Sequence, residues 1–442
     1  MKPSGLIVAT VILAGLIAGL YWSNHHKPVE ATAASADLPP KILTLKEDDI
    51  AKIEVKKKST DELVLDRNSS GKWQMTAPQP LAVDQTVVSG MLATLSSLSS
   101  ERLVEDKASD LRPYGLTDPP LETDLTAKDH KTYKLLIGDN TPTGNAVYAK
   151  LEGDPRVFTM ASYERNSIDK GVNDVRDKRL ITVDQDKISQ LELEAKKQDV
   201  VFGRNKNEWQ IIKPKPQRAD GSKVDDLVRV LVDARMDLSG TEQDAKKIAA
   251  AFASATPVAT AKVTGESGTE ELQVRKNKDD YYAKSSATAG FYKVASSVGT
   301  GLDKDPADFR NKKLFDFGFD DPNKIEIQDG ANAYFLTRSG TDWWNGSSKK
   351  MEVSGVESVI DNLRDLSAAK FVDSGFTTPA LELTVTSNDG KRTEKVLIAK
   401  NAQNYIAKRE NEPSLYQLDA KAVTDLQKSA ADMKPAAASM AK

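Results

Sequence analysis

The chain has no cysteine, which removes disulfides, thiolate nucleophiles, cysteine-ligated zinc and a lipidated N-terminal cysteine in one step. Histidine is almost as scarce. Of three, His25 and His26 lie together in a spacer, and only His130 belongs to the body of the sequence. It sits in "AKDHKTY", a polar turn between two expected strands, without the partners that a histidine metal centre or a Ser-His-Asp triad would need. Neither Gly-x-x-x-x-Gly-Lys-Ser/Thr nor Gly-x-Gly-x-x-Gly occurs, so the usual phosphate- and dinucleotide-cradling loops are missing. An excess of positive charge is missing too. The formal net charge is -3, and beyond residue 36 there remain 60 basic against 64 acidic residues, the totals of 62 and 65 less Lys2, Lys27 and Glu30. Short clusters such as "KKK" at 56–58 do not make the basic face that phosphate backbones require, and nucleic acid is not an expected ligand.

With 442 residues, 29% charged and 39% hydrophobic, the chain reads as a water-soluble body of about three domains. What precedes that body is different. "GLIVATVILAGLIAGLYW", residues 5–22, carries no charge, and at about 1.5 Å per residue it would make roughly 27 Å of helix, near the ~30 Å hydrocarbon core of a bilayer. Tyr21 and Trp22 close it where an interfacial aromatic belt lies. "ASA" at 34–36 has the form of a signal cleavage site, but the apolar run exceeds a signal core and the cut would fall far beyond its end. The expectation is an uncleaved anchor over residues 1–24 spanning the cytoplasmic membrane, with the bulk of the chain on the extracytoplasmic, periplasmic side. Residues 25–44, Ala- and Pro-rich, are a short spacer.

The body repeats. Trp73, Trp209 and Trp344 are separated by 136 and 135 positions (209 − 73 and 344 − 209). Ahead of each lies a strand-like alternation, "KIEV" at 52–55, "QLEL" at 190–193 and "KIEI" at 324–327, with Ile53, Leu191 and Ile325 facing one way and the glutamates the other. After each comes a helical stripe: Val88, Leu92, Leu95; Val224, Val228, Leu231; Val359, Leu363, Leu366. Further strands follow in "YKLLIG" (133–138), "ELQVRK" (271–276) and "KVLIAK" (395–400), then in "VYAK", "YYAK" and "YIAK". The expected fold is α+β: three tandem strand-rich modules with one main helix each, at 45–179, 180–313 and 314–432, behind one N-terminal transmembrane helix. Residues 433–442 read as a disordered tail.

Two recurring segments punctuate the modules. "RDKRL" at 176–180 and "RNKKL" at 310–314 occupy the same seam, 134 positions apart (310 − 176). Lys and Arg there suit the last turn of a helix, facing the negative end of its dipole; the functional alternative is docking of an anionic lipid or partner. "YGLTDPPLE" at 114–122 returns as "SGFTTPALE" at 374–382 and, displaced, as "FGFDDPNKIE" at 317–326. Gly followed by Asp-Pro or Thr-Pro reads as a turn that launches a strand.

"LRPYGLTDPPLE", "LLIGDNTPTGNAVYAKLEGDPRVFTM" and "VRDKRL", with the tryptophan strand before the helix, resemble the bacterial domain of unknown function 4340 (DUF4340) family. Gly115, Leu116, Pro119, Gly138 and Tyr148 fall in that family's order, most clearly over residues 45–180, while in the second module the Gly-Leu-x-x-Pro segment has decayed to "AFASATP". The resemblance implies a membrane-tethered, envelope-facing protein associated with ABC-type export or gliding-type transport systems, with subunits of such a transporter as partners. It assigns no catalytic residues, and none carries over.

The remaining residues offer little chemistry. "DRNSSG" at 66–71 begins like a calcium loop, but Ala77 stands at the twelfth position where a bidentate Glu is required, and a hairpin turn explains it better. No catalytic, cofactor-binding or metal-ligating residue is expected, and no cofactor. The tryptophans read as core residues under the helix. In an alternating strand a core Trp344 turns Trp343 outward. Trp343, Arg176 and Arg310 are therefore the candidate contact residues. The leading reading is a non-enzymatic, membrane-anchored accessory protein. The alternatives are an envelope glycan or polymer binder that uses exposed aromatics such as Trp343, and a hydrolase with paired carboxylates.

Overall fold

The computed structural model describes residues 40–58, 60–205, 208–240, 242–318, 322–402 and 404–437. The expected membrane helix at residues 5–22 lies outside them. Among the described residues no helix is long and apolar enough to cross a membrane. The chain divides into two compact units, with the boundary between Lys178 and Arg179 inside the first seam.

The first unit holds one nine-stranded antiparallel sheet. Strands β1 (Ile50–Lys57), β2 (Leu63–Arg67), β3 (Trp73–Ala77) and β4 (Leu81–Ala82) form a meander; helix α1 (Gln85–Ser96) then crosses to β5 (Arg102–Glu105); and β6 (Leu121–Ala127), β7 (Thr132–Asn140), β8 (Ala146–Leu151) and β9 (Val157–Ala161) complete a second meander before the short helices α2 (Ser162–Ile168) and α3 (Val172–Val175). The order is β4-β3-β2-β1-β6-β7-β8-β9-β5, with the two meanders joined where β1 pairs antiparallel with β6. Asp84 starts α1 by accepting from the Thr86 N–H at 2.9 Å. The helix sequence QTVVSGMLATLS is rich in residues that disfavour helix by up to about 1 kcal/mol each. Packing decides instead: Val88, Met91, Leu92 and Leu95 are buried against Ile53, Leu65, Trp73, Leu125 and Phe158, at roughly 1.5–3 kcal/mol per fully buried side chain.

The second unit repeats this plan twice. One eight-stranded sheet comprises β10 (Gln190–Ala195), β11 (Gln198–Asn205), β12 (Glu208–Lys213), β13 (Gln217–Arg218), β14 (Thr256–Gly265), β15 (Gly268–Asn277), β16 (Asp280–Ser285) and β17 (Tyr292–Val294), with helices α4 (Gly221–Val232), α5 (Glu242–Ser254) and α6 (Ser296–Leu302). The other comprises β18 (Lys324–Asp329), β19 (Asn332–Ser339), β20 (Asp342–Asn345), β21 (Ala368–Val372), β22 (Leu381–Ser387), β23 (Arg392–Asn401), β24 (Asn404–Arg409) and β25 (Leu415–Leu418), with α7 (Val353–Asp365) and α8 (Ala420–Asp432). Ile53, Leu191 and Ile325 are all fully buried, as the alternation requires. β5 and β21 close their sheets by pairing with β9 and β25. In the middle module that position is taken by α5, and only a bridge of Asp237 with Lys293 marks the edge.

These findings correct the expected fold class. The architecture is predominantly antiparallel β-sheet in three sheets rather than the expected α+β class of strand-rich modules, and "one main helix" undercounts the second and third modules, where α5 and α8, of 13 residues each, equal or exceed the helix expected. Strands of two to five residues such as β4, β5, β13 and β21 contain too little alternation to be read from sequence. Residues 433–436, expected as tail, are paired with the body: Glu352 N–H donates to the Lys434 carbonyl at 2.9 Å and Ala436 N–H to the Lys350 carbonyl at 2.8 Å. Residues 438–442 of that expected tail lie outside the described residues.

Candidate functional site

Each module is closed by two bridges flanking its main helix. Behind the helix, Lys41 pairs with Ser99, Arg179 with Arg235 and Lys313 with Ser367; ahead of it, Val83 pairs with Arg176, Ala219 with Arg310 and Met351 with Pro435. The seams are therefore extended segments held by isolated single-residue bridges. Arg176 follows the single turn α3, and Arg310 follows a 3-10 turn, Pro306–Phe309, so the long helix whose dipole would call for cations is not there. What the seam needs is extended backbone. Arg176 is half-buried and partnered. Arg310 lies 3.4 Å over the Phe371 ring and donates to Ser414 Oγ at 3.2 Å. Burial pulls its guanidinium below the ordinary value, with Tyr416 and Asp373 opposing.

Near it, the second and third modules are joined by charge. Arg218 of β13 forms an ion pair with Asp316, donates to the Lys313 carbonyl, and brings Nε within 2.9 Å of Glu412 Oε1, an ion-pair distance not aligned as a hydrogen bond. Arg409 holds Glu412 at 2.7 Å and Glu394 at 3.0 Å, and Tyr416 donates to Glu412 Oε2 at 2.7 Å. Burial pulls Arg218 down, but Asp316 and Glu412 outweigh it and the net shift is upward. Burial first, then the bond to Glu412, raises Tyr416. These acids are spent on structural arginines.

Beside Arg310 a cleft of about 430 Å³ opens between α4 and α6. Leu227 and Phe309 form its floor, and Lys223, Lys304 and Lys312 stand on its rim.

The sequence signature of the first module converges on another place. Gly115, at φ +66°, ends a 3-10 turn, Arg112–Tyr114, where a Cβ would meet the Asp139 carboxylate at 2.5–2.7 Å. On β7, a Cβ at Gly138 would lie 2.1 Å from the Tyr114 carbonyl oxygen and 3.1 Å from Leu116 Cδ2. The Tyr114 ring packs on Tyr148 at 5.0 Å, and its hydroxyl donates to Glu105 at 2.8 Å, a bond that raises the Tyr114 pKa. The motif is a clasp that docks the loop before β6 onto β7. By strand register the place of Gly138 is taken by Arg275 and Ala399. Arg275 stacks on Phe252 of α5 at 4.7 Å, so the second module replaced the clasp with a helix, and its Gly-Leu-x-x-Pro segment was free to decay.

The family model for DUF4340, a domain of unknown function, matches residues 73–251 and again 209–380. The chain belongs to the DUF4340 family. The two matches begin on Trp73 and Trp209, one repeat apart, so the DUF4340 unit starts at the tryptophan strand and runs across a seam into the next module. No curated protein matches the chain.

For this DUF4340 chain the tryptophan assignment needs correcting. Trp343 is buried at 4% exposure and Trp344 is exposed at 37%, the reverse of the expectation. The β19–β20 hairpin pairs Ser339 with Asp342 and so sets Trp343 opposite Arg338. The same pair recurs as Arg67 with Trp73 and Arg204 with Trp209, with the guanidinium 5.1 and 4.9 Å from the ring in those two. Arg-to-Trp spacing was the signal that sequence reasoning missed. Trp343 thus joins the third core and is no contact residue. His130 lies exposed in the β6–β7 turn at φ +67°. Asn68 Oδ1, in the calcium-like stretch, accepts from the Ser70 and Lys72 N–H groups of a hairpin turn. Among the described residues no group of His, Asp and Glu is placed to hold a metal.

Proposed function

We propose that this DUF4340 chain is a non-catalytic accessory protein of the cell envelope, held at the cytoplasmic membrane by residues 5–22, whose modules offer an interaction surface on the periplasmic side to a transport assembly of the ABC or gliding type. The observation that carries the reading is the repeated build. Each sheet buries one face under its helices and carries cross-strand ion pairs on the other: Lys134 with Glu122 at 3.5 Å, Lys262 with Glu192 at 2.9 Å, Lys395 with Glu382 at 3.3 Å. Such pairs contribute only ~0.2–1 kcal/mol each to stability, but patterned charge on an open face selects partners and steers their approach. Crosslinking of the native membrane protein, followed by mass spectrometry, is expected to return transporter subunits attached to the modules. Turnover of a substrate by the purified body alone would overturn the reading.

A second reading, binding of an envelope glycan or polymer, is favoured by one observation. Phe335 and Trp344 stand exposed at 49% and 37% on the outer face of β19 and β20, in diagonal register, as stacking platforms for sugars do. Loss of wall-polymer binding in Trp344→Ala, with an unchanged melting curve, would support it. Equal binding by that variant would remove it.

A further inference from the structure

The groove between α4 and α6 differs from its counterparts in the other modules. In the first module Thr94 donates to Ser167 Oγ at 3.0 Å between α1 and α2, and in the third Asn362 donates to Ser429 Oγ at 3.1 Å between α7 and α8. The second module has Val230 and Gly301 at these places. A Cβ on Gly301 would lie 2.8 Å from Val230 Cγ2, so the glycine lets α6 lie against a valine where its relatives carry a hydroxyl bond. The result is an apolar strip of Leu227, Val230 and Phe309 within an otherwise charged lining. Asp226 and Val230 line both this cleft of about 430 Å³ and a neighbouring one of about 460 Å³ with Arg229, Asp233 and Val298, and each is within the range of small-molecule sites.

Charge completes the picture. Lys223, Lys304 and Lys312 line the first cleft and make no ion pair among the described residues, and Arg310 keeps a buried Nε without a hydrogen-bond partner. Of the carboxylates beside them, Asp220 caps α4 by accepting from the Lys223 N–H at 3.3 Å, Asp226 is paired with Arg229, and Asp308 stands on the same cleft, so four cations face two carboxylates that make no ion pair among the described residues. Val87 and Gly355 occupy the place of Lys223 in the sister modules, counted from the residues at the N-cap position, Asp84, Asp220 and Glu352. Unpaired cations at the mouth of an apolar groove suit one kind of ligand.

We propose that this groove binds a small anionic amphiphile, a phosphate or carboxylate head on an apolar body, with the head at Lys223, Lys304, Lys312 and Arg310 and the body along Leu227 and Val230. The site goes beyond the accessory reading and does not depend on a transport partner. The test is titration of the full-length chain, in a non-ionic environment, with octyl phosphate below its micelle concentration, set against inorganic phosphate and octanol as head and body alone. Saturable binding of octyl phosphate is expected, at least about tenfold tighter than either half and weakened about tenfold or more in Lys223→Glu/Lys304→Glu or by high salt. The two lysines are exposed, so the melting curve of that variant should match the parent. Vesicles containing phosphatidic acid separate the sources: variant-sensitive vesicle binding places the head on a membrane lipid, and octyl phosphate binding without it places the head on a soluble ligand. Absence of saturable binding, or equal binding by the double variant, overturns the proposal.

Discussion

At the scale of single residues, adjacent Trp343 and Trp344 make the clearest experiment. Trp343 fills the third core, so Trp343→Ala is expected to cost about 3–5 kcal/mol. Trp344→Ala, on the outer face, should change stability by no more than about 0.5 kcal/mol; chemical denaturation of both variants checks this, and equal effects would contradict the register. Alternation along the strand predicted that one of the two is buried, and it did so correctly. It could not give the phase, which is fixed across the hairpin by the partner Arg338. A second prediction concerns acid. Arg156 grips Asp154 with Nε at 3.0 Å and Nη2 at 2.6 Å, and this bond above all holds the Asp154 carboxyl below its ordinary value. A depressed carboxyl contributes stability that is present above its unfolded value of ~3.9 and lost as pH falls through the lower folded one. Asp154→Asn should therefore flatten the acid limb of the stability curve below about pH 4, measured by denaturation from pH 2 to 7. A limb as steep as the parent's would remove the pair from the account.

At the scale of elements, the loop clasp and the helices divide what sequence can and cannot say. The stripes that marked α1, α4 and α7 were legible because their apolar spacing of four and three residues is a property of one segment. The clasp was legible only as a turn: Gly115 and Asp-Pro announce a change of direction, while the reason for Gly138 is a carbonyl twenty-four positions away (138 − 114). Gly138→Ala forces the Cβ to within 2.1 Å of the Tyr114 oxygen, so the loop must lift from β7, at a cost of about 1–3 kcal/mol. The expected signature is faster amide exchange at Leu116 together with a lowered melting temperature. Ala399 already stands at the matching place in the third module, so Ala399→Gly should leave that module's loop unchanged and add only the few tenths to 1 kcal/mol that glycine costs in a strand.

At the scale of the whole molecule, the repeat was legible and the grouping of its copies was not. A period near 135 is written in the tryptophans and the seams. Which modules cohere depends on side chains that meet across about a hundred positions, as Arg218 meets Asp316 (316 − 218 = 98), and no periodicity encodes that. The first unit ends at Lys178, and the second runs through both remaining modules. Calorimetry should resolve one transition for the first unit and a single joint transition for the second. Removing one partner from a buried ion pair strands the other charge, at about 3–5 kcal/mol for full burial; with side-chain exposures of 18% for Arg218 and 20% for Glu412, the lower end of that range is expected for Arg218→Ala. That variant should split the joint transition in two. Adding Glu412→Gln should cost less than it does alone, because the two act on one cluster. Strict additivity, or a joint transition that survives Arg218→Ala, would mean that the apolar contacts around the second seam, with Arg310 stacked on Phe371, hold the modules together without the arginine cluster.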